Sequence, residues 1–233
     1  MTTFVLVHGA WSGSFGFKHV RRSLQAAGHE VFTPSLTGVG ERVHLASPQI
    51  SLSTHIQDVV NQIIYEDLSQ IVLLGYSYGG AVVTGSLEHV ADRVSHLVYL
   101  DAFVPKDGES VLSLVGMPRP PLELGSQHFL LPTPREFEDP AEGAFQNQRR
   151  VPQPIATALE PVRLAQPLES FSFRRTYIRA TQGDPSEIGN KHFASAAARA
   201  RESNAWDYYE IKTNHMVLSN KPDELANLLL EID

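Results

Sequence analysis

Residues 71–83 read IVLLGYSYGGAVV. Four apolar residues run into a serine enclosed by glycines, and a second apolar run follows at once. A short apolar, β-branched run predicts a buried strand, and the segment 78–90 has helical spacing. Gly75-Tyr76-Ser77-Tyr78-Gly79 therefore sits where a strand turns sharply into a helix, and it matches the pattern G-x-S-x-G. Such a turn forces strained backbone angles on the serine and lifts its hydroxyl to the carboxyl edge of a sheet. The flanking glycines leave room for the strand and helix to pass. The starting helix directs its positive end at the same point. This setting makes Ser77 a candidate nucleophile rather than a helix cap.

Outward from the elbow, the chain alternates between the two periods. Strands are expected at 3–7, 29–33, 70–74, 96–100, 175–179 and 207–211, and helices at 16–27, 54–66, 78–90, 190–203 and 222–231. Continuous apolar strands separated by helices imply an α/β fold: a mainly parallel sheet of about six strands with helices on both faces. The 233 residues fit one domain.

Residues 105–175 break the alternation, holding 11 of the 15 prolines. Proline at that density interrupts helices and ladders. The same stretch carries Phe129, Leu130, Leu131, Phe137, Phe145, Leu159 and Phe171, too apolar a set for a linker. The reading is a cap inserted into the core, with the core at 1–104 and 176–233.

Composition narrows the function. A net charge of −7 without a basic cluster argues against nucleic-acid or anionic-membrane partners. The absence of cysteine excludes disulfides, thiolate metal sites and a cysteine nucleophile. The opening residues lack a basic region and a long apolar stretch, so a cytoplasmic location is the default expectation.

A serine hydroxyl needs a base. Of ten histidines, His215 follows the last expected strand and precedes the final helix, at the active edge of an open α/β sheet. His8 comes before the serine, in a loop better suited to shaping an oxyanion hole. His19, His29, His44, His55, His89, His96, His128 and His192 are read as surface or packing residues. The orienting acid has two candidates between Ser77 and His215. Asp101 ends the strand HLVYLD and leads into AFVP, where a buried carboxylate needs a partner. Asp184 lies in an Asp-Pro turn, which solvent can satisfy. Burial favours Asp101; Asp184 stays open.

FVLVHGAWSGSFGF, HEVFTPSLTGVGERVHL, GYSYGGAVV, YLDAFVPKDGES and TNHMVLSNKPDEL together resemble the α/β-hydrolase superfamily. Within it they are similar to bacterial esterases related to pyrethroid hydrolase, and to plant methylesterases and hydroxynitrile lyases. The resemblance covers the core and fades through the cap. It implies Ser77 as nucleophile, His215 as base, and the backbone N–H groups of Ala10 and Tyr78 as oxyanion hole. Plant members carry their acid after the strand equivalent to RTYIRAT, where Asp184 sits one place late; the bacterial group has its aspartate in YLDAF. The lyases use a threonine and a lysine where this chain has Gly9 and Met216, so hydrolysis is favoured over cyanohydrin cleavage.

The expected activity is a cofactor- and metal-free serine esterase forming an acyl-enzyme. An amide or carbamate hydrolase with the same triad is the alternative. Cofactor-free dioxygenation and a non-catalytic binding module of hydrolase ancestry are more distant. Trp11, Phe129 and Phe137 are expected to contact a small apolar or aromatic substrate. Nothing in the sequence fixes the oligomeric state.

Overall fold

The structure is a computed structural model that describes residues 1–118 and 129–232. Part of the proline-rich run and His128 lie outside the described residues. In chain order the elements are β1 (Thr3–Val7), α1 (Lys18–Ala26), β2 (Glu30–Phe32), α2 (Leu52–Tyr65), β3 (Ile71–Tyr76), α3 (Gly79–Val90), β4 (Val94–Leu100) and α4 (Val111–Leu114). There follow β5 (Phe129–Leu130), α5 (Pro140–Asn147), β6 (Gln153–Pro154), α6 (Ala156–Leu159), β7 (Arg174–Ala180), α7 (Asn190–Glu202), β8 (Asp207–Ile211), α8 (Val217–Asn220) and α9 (Pro222–Glu231).

Six strands form one sheet in the order β2-β1-β3-β4-β7-β8, and every neighbouring pair is parallel. Successive strand residues face opposite sides, so each strand feeds two cores. Val5 and Val7, Ile71 and Leu73, and Leu97 and Tyr99 pack on one side with α2, α3 and α7. Phe4 and Leu6, Val72 and Leu74, and Val98 and Leu100 pack on the other with α1 and α9. Double burial is why these strands read as unbroken apolar runs. A fully buried side chain such as Leu73 contributes about 1.5–3 kcal/mol.

The elements differ from the sequence reading mainly at their ends. β3 runs on to Tyr76, directly before the serine. α2 starts at Leu52 because Ser51 and Thr54 form a reciprocal capping box. The segment before α1 is a tighter turn, Ser14–Phe17.

Register brings the strand ends to one edge. Val7 pairs with Gly75, Tyr76 with Leu100, Leu100 with Ile178, and Ala180 with Ile211. The loops after β1, β3, β4, β7 and β8 therefore leave side by side.

Between β4 and β7 the elements are short. β5 and β6 pair antiparallel, Phe129 with Pro154 and Leu130 with Gln153. This segment is joined to the core through Trp11, whose main-chain N–H donates to Gln153 Oε1 at 3.0 Å. Its indole N–H donates to the Leu130 carbonyl at 2.9 Å, and its own carbonyl accepts from Val151 N–H at 3.1 Å. The Ser53 hydroxyl and N–H both reach Glu160 on the far side. Among the described residues no helix is long and apolar enough to cross a membrane.

Candidate active site

At the elbow, Ser77 has φ = 55°. A non-glycine residue held there costs of order 1–3 kcal/mol and persists only where its surroundings enforce it. Here the enforcement is a set of main-chain bonds: Ser77 N–H donates to the Leu100 carbonyl, and the Ser77 carbonyl accepts from Gly80 and Phe103 N–H. The two motif glycines are fixed by close approach. A Cβ on Gly75 would lie 2.7 Å from the Gly79 carbonyl oxygen, and one on Gly79 would lie 2.5 Å from that of Val7.

Ser77, His215 and Asp101 converge on one line of hydrogen bonds. His215 Nε2 is 2.9 Å from Ser77 Oγ, and His215 Nδ1 is 2.6 Å from Asp101 Oδ2. Asp101 is 1% exposed and His215 7%. The other carboxylate oxygen of Asp101 accepts from Ala180 N–H at 3.3 Å and is paired with Arg179, which also reaches Asn190. The imidazole is stacked between Tyr76 and Phe193, with centroids 5.0 and 5.1 Å away. Tyr76 also donates its hydroxyl to the His215 carbonyl at 2.6 Å. Ring plane, height and backbone of His215 are thus all held.

Asp184 is elsewhere. It is exposed, and its carboxylate accepts from the N–H and hydroxyl of Ser186, each at 2.8 Å. Those bonds hold its carboxyl below the usual range. It is a local turn without contact to His215.

Ala10 and Tyr78 line the same cavity as Ser77, and neither N–H donates to another group among the described residues. The peptides that carry them are oriented from behind. His8 Nδ1 donates to the Gly9 carbonyl at 2.8 Å, while its Nε2 accepts from Leu36 N–H at 3.1 Å. That pattern requires neutral His8, and burial lowers its pKa accordingly. The Gly9 carbonyl and the Ala10 N–H belong to one peptide, so His8 sets the direction of both. The Ser77–Tyr78 peptide is fixed by the two bonds to the Ser77 carbonyl. Tyr78 is further anchored by His55, 2.9 Å from its hydroxyl. A Cβ on Gly9 would lie 3.0 Å from Ser77 Cβ, so a bare glycine keeps Ser77 clear.

The cavity over Ser77 and His215 has a volume of about 470 Å³, within the range of small-molecule sites. Trp11, Phe137, Leu130 and Met216 line it. Phe129 does not: in the β5–β6 ladder consecutive residues face opposite ways, and Leu130 takes the inner side. Phe145 is also outside the lining; its ring lies beneath Lys18 and Arg149.

Several contributors escaped the sequence reading. In the sequence Tyr76 stands only as a variable position of the motif, Phe193 as part of the expected helix 190–203 and Arg179 as the end of the expected strand 175–179. Arg135 and Arg150 line the cavity from the segment between β4 and β7, where no periodicity marks them. Burial and the neighbouring Arg135 charge pull the Arg150 guanidinium down to about 10.

The chain matches a model described as the alpha/beta hydrolase family over residues 4–228. It is 37% identical over 245 residues to the carbendazim hydrolyzing esterase of Nocardioides sp. (strain SG-4G), covering 98% of each chain. It is 27% identical over 265 residues to the putative methylesterase 14 of Arabidopsis thaliana, covering 98% of this chain and 71% of that one. Among solved structures, a methylesterase from Arabidopsis superposes with a TM-score of 0.78 at 21% identity, over 100% of this chain and 98% of that one. At that identity the structural likeness speaks for the fold alone.

Proposed function

This chain belongs to the alpha/beta hydrolase family, and we propose that within it Ser77, His215 and Asp101 serve as nucleophile, base and orienting acid. It is a carboxylesterase-type hydrolase. The observation that carries the proposed residue roles is the unbroken relay from Ser77 Oγ through both imidazole nitrogens to the buried Asp101 carboxylate.

The chemistry follows from that relay. Ser77 Oγ forms a bond to the ester carbonyl carbon while its proton passes to His215 Nε2. The carbonyl π electrons move to oxygen, and the Ala10 and Tyr78 N–H groups receive that oxyanion; each such donor is worth about 3–4 kcal/mol of barrier. As the tetrahedral intermediate collapses, His215 Nε2 returns the proton to the departing alkoxide, leaving Ser77 acylated. Water then repeats the sequence and releases the acid. Asp101 keeps the Nδ1 proton in place and stabilises the imidazolium formed at each step. The apolar lining supports a small, largely apolar or aromatic ester.

Two measurements test the reading together. A fluorophosphonate probe is expected to modify Ser77, and a panel of p-nitrophenyl esters, aryl carbamates and anilides is expected to show esters turned over fastest. Ser77→Ala should lower kcat on the esters by on the order of 10⁴ or more. Ester turnover by Ser77→Ala within tenfold of the parent would remove Ser77 from the mechanism.

A further inference from the structure

Two cap arginines line the active-site cavity, and their hydrogen-bonding capacity is not used up among the described residues. Arg135 pairs with Glu187 at 2.6 Å, yet its buried Nε–H has no acceptor among the described residues. The buried Nε–H of Arg150 also has none. Its guanidinium makes no hydrogen bond or ion pair among the described residues; what holds it is the face of Trp11, 5.3 Å from the guanidinium carbon. The adjacent Arg149 shows the contrast, being exposed and donating to the Phe145 carbonyl at 2.9 Å.

Among the described residues the charges at this wall do not balance. Arg135, Arg150 and Glu187 sum to one excess positive charge, inside a chain whose net charge is −7. A partly buried cation without a counter-charge is unfavourable. A ring face offers Arg150 electrostatic attraction but no lone pair for its N–H groups. The reacting ester carbonyl cannot fill this role, because its oxygen goes to Ala10 and Tyr78. What remains is a second acceptor elsewhere on the substrate, and guanidinium geometry suits a carboxylate best.

We propose that Arg150, supported by Arg135, forms an anion-reading subsite beside the Ser77 centre, so that the preferred substrates are esters bearing a second, carboxylate group. The proposal rests on the serine-hydrolase reading of the same cavity. The apolar wall formed by Trp11 and Phe137 then takes the carbon frame between the two groups.

Paired esters test it, each rate divided by that of alkaline hydrolysis. On the acyl side the pair is 4-nitrophenyl hydrogen glutarate against 4-nitrophenyl pentanoate; on the alcohol side it is 4-acetoxybenzoate against its neutral methyl ester. In at least one pair the anion is expected to have a kcat/KM at least tenfold higher. Arg150→Gln should bring that ratio to near one or below, and Arg150→Lys should keep most of it. Glutarate or benzoate should compete with the neutral ester in the parent protein, and about tenfold more weakly after Arg150→Gln. Preference for the neutral member in both pairs overturns the proposal, as does a ratio that survives Arg150→Gln. If no ester is hydrolysed and the fluorophosphonate leaves Ser77 unmodified, it is the hydrolase reading that fails. Calorimetric titration of the parent protein and Arg150→Gln with glutarate and benzoate still decides the subsite, because binding lost on removing the guanidinium supports it and no binding to the parent protein refutes it.

Discussion

The carboxyl edge of the sheet and the segment between β4 and β7 share one cavity but meet it in opposite conditions. At the edge, Ser77, Asp101 and His215 bond to one another, and the remaining Asp101 oxygen is taken by Arg179 and Ala180. Ser77 and Asp101 both have positive φ, 55° and 41°, a strain that paired parallel strands are stiff enough to impose. Between β4 and β7 the elements are short, and the buried Nε–H groups of Arg135 and Arg150 have no acceptor among the described residues. The difference separates two tasks. Chemistry needs groups already in place before charge develops, whereas recognition needs groups whose partners are still to come. Trp11, itself at φ = 61°, is the seam: it follows Ala10 at the edge and is hydrogen-bonded three times to the segment between β4 and β7.

The largest effect is expected within the edge itself, between two carboxylates that follow neighbouring strands. Asp101→Asn should lower kcat by around 10⁴ at neutral pH, because the amide favours the wrong imidazole tautomer and withdraws support from the imidazolium. Asp184→Asn, in its solvated turn, should leave kcat within a few-fold. Kinetics of both variants on one p-nitrophenyl ester checks this, and the reverse ranking would break the contrast between a rigid edge and a solvated loop.

A smaller effect is expected at the seam. Gln153 is buried, and it supports Trp11 N–H with its carbonyl while its amide donates to Thr157 at 2.8 Å. Gln153→Ala should let the Trp11 segment relax and shift the Ala10 donor, lowering kcat about tenfold, which corresponds to about 1.4 kcal/mol. Because the role proposed for that donor is in the transition state, kcat should fall more than KM rises. A change confined to KM would mean that the segment between β4 and β7 only binds substrate and does not hold the edge in place.

The smallest concerns stability. Burial behind Tyr78 lowers the His55 pKa from 6.5 to about 4. Between those values the unfolded chain binds more protons than the folded one, so stability is full above about pH 6.5 and is lost as pH falls toward 4. His55 alone should cost about 1 kcal/mol between pH 6.5 and 5.5. Urea unfolding at the two pH values should show this loss, and His55→Gln should reduce it. An unchanged pH slope in that variant would detach the support behind Tyr78 from the protein's acid sensitivity.

Much of this molecule is legible locally. The turn at 75–79 is written in five residues because its geometry depends on close approach within one strand–turn–helix unit, as Gly75 and Gly79 show. The parallel sheet is equally readable, since burial on both faces leaves unbroken apolar strands. The position of His215 after the last strand follows from that alternation. What the sequence left open are the meetings between distant segments. Asp101 and Asp184 both stand after strands and before the histidine; only the order β4-β7-β8, with the Asp101 main chain bonded to Ile178, brings one carboxylate beneath the imidazole and leaves the other in solvent. Phe129 and Leu130 are neighbours in a run of apolar residues, and a two-residue ladder decided which one lines the cavity. Arg150 carries no sequence signal, because its unpartnered Nε–H is defined by what the described part of the fold does not place beside it. Local patterns encode elements and turns through short-range sterics and hydrophobic period. The reach of a side chain across the sheet depends on strand order, register and rotamer, and those exist only once the chain has packed.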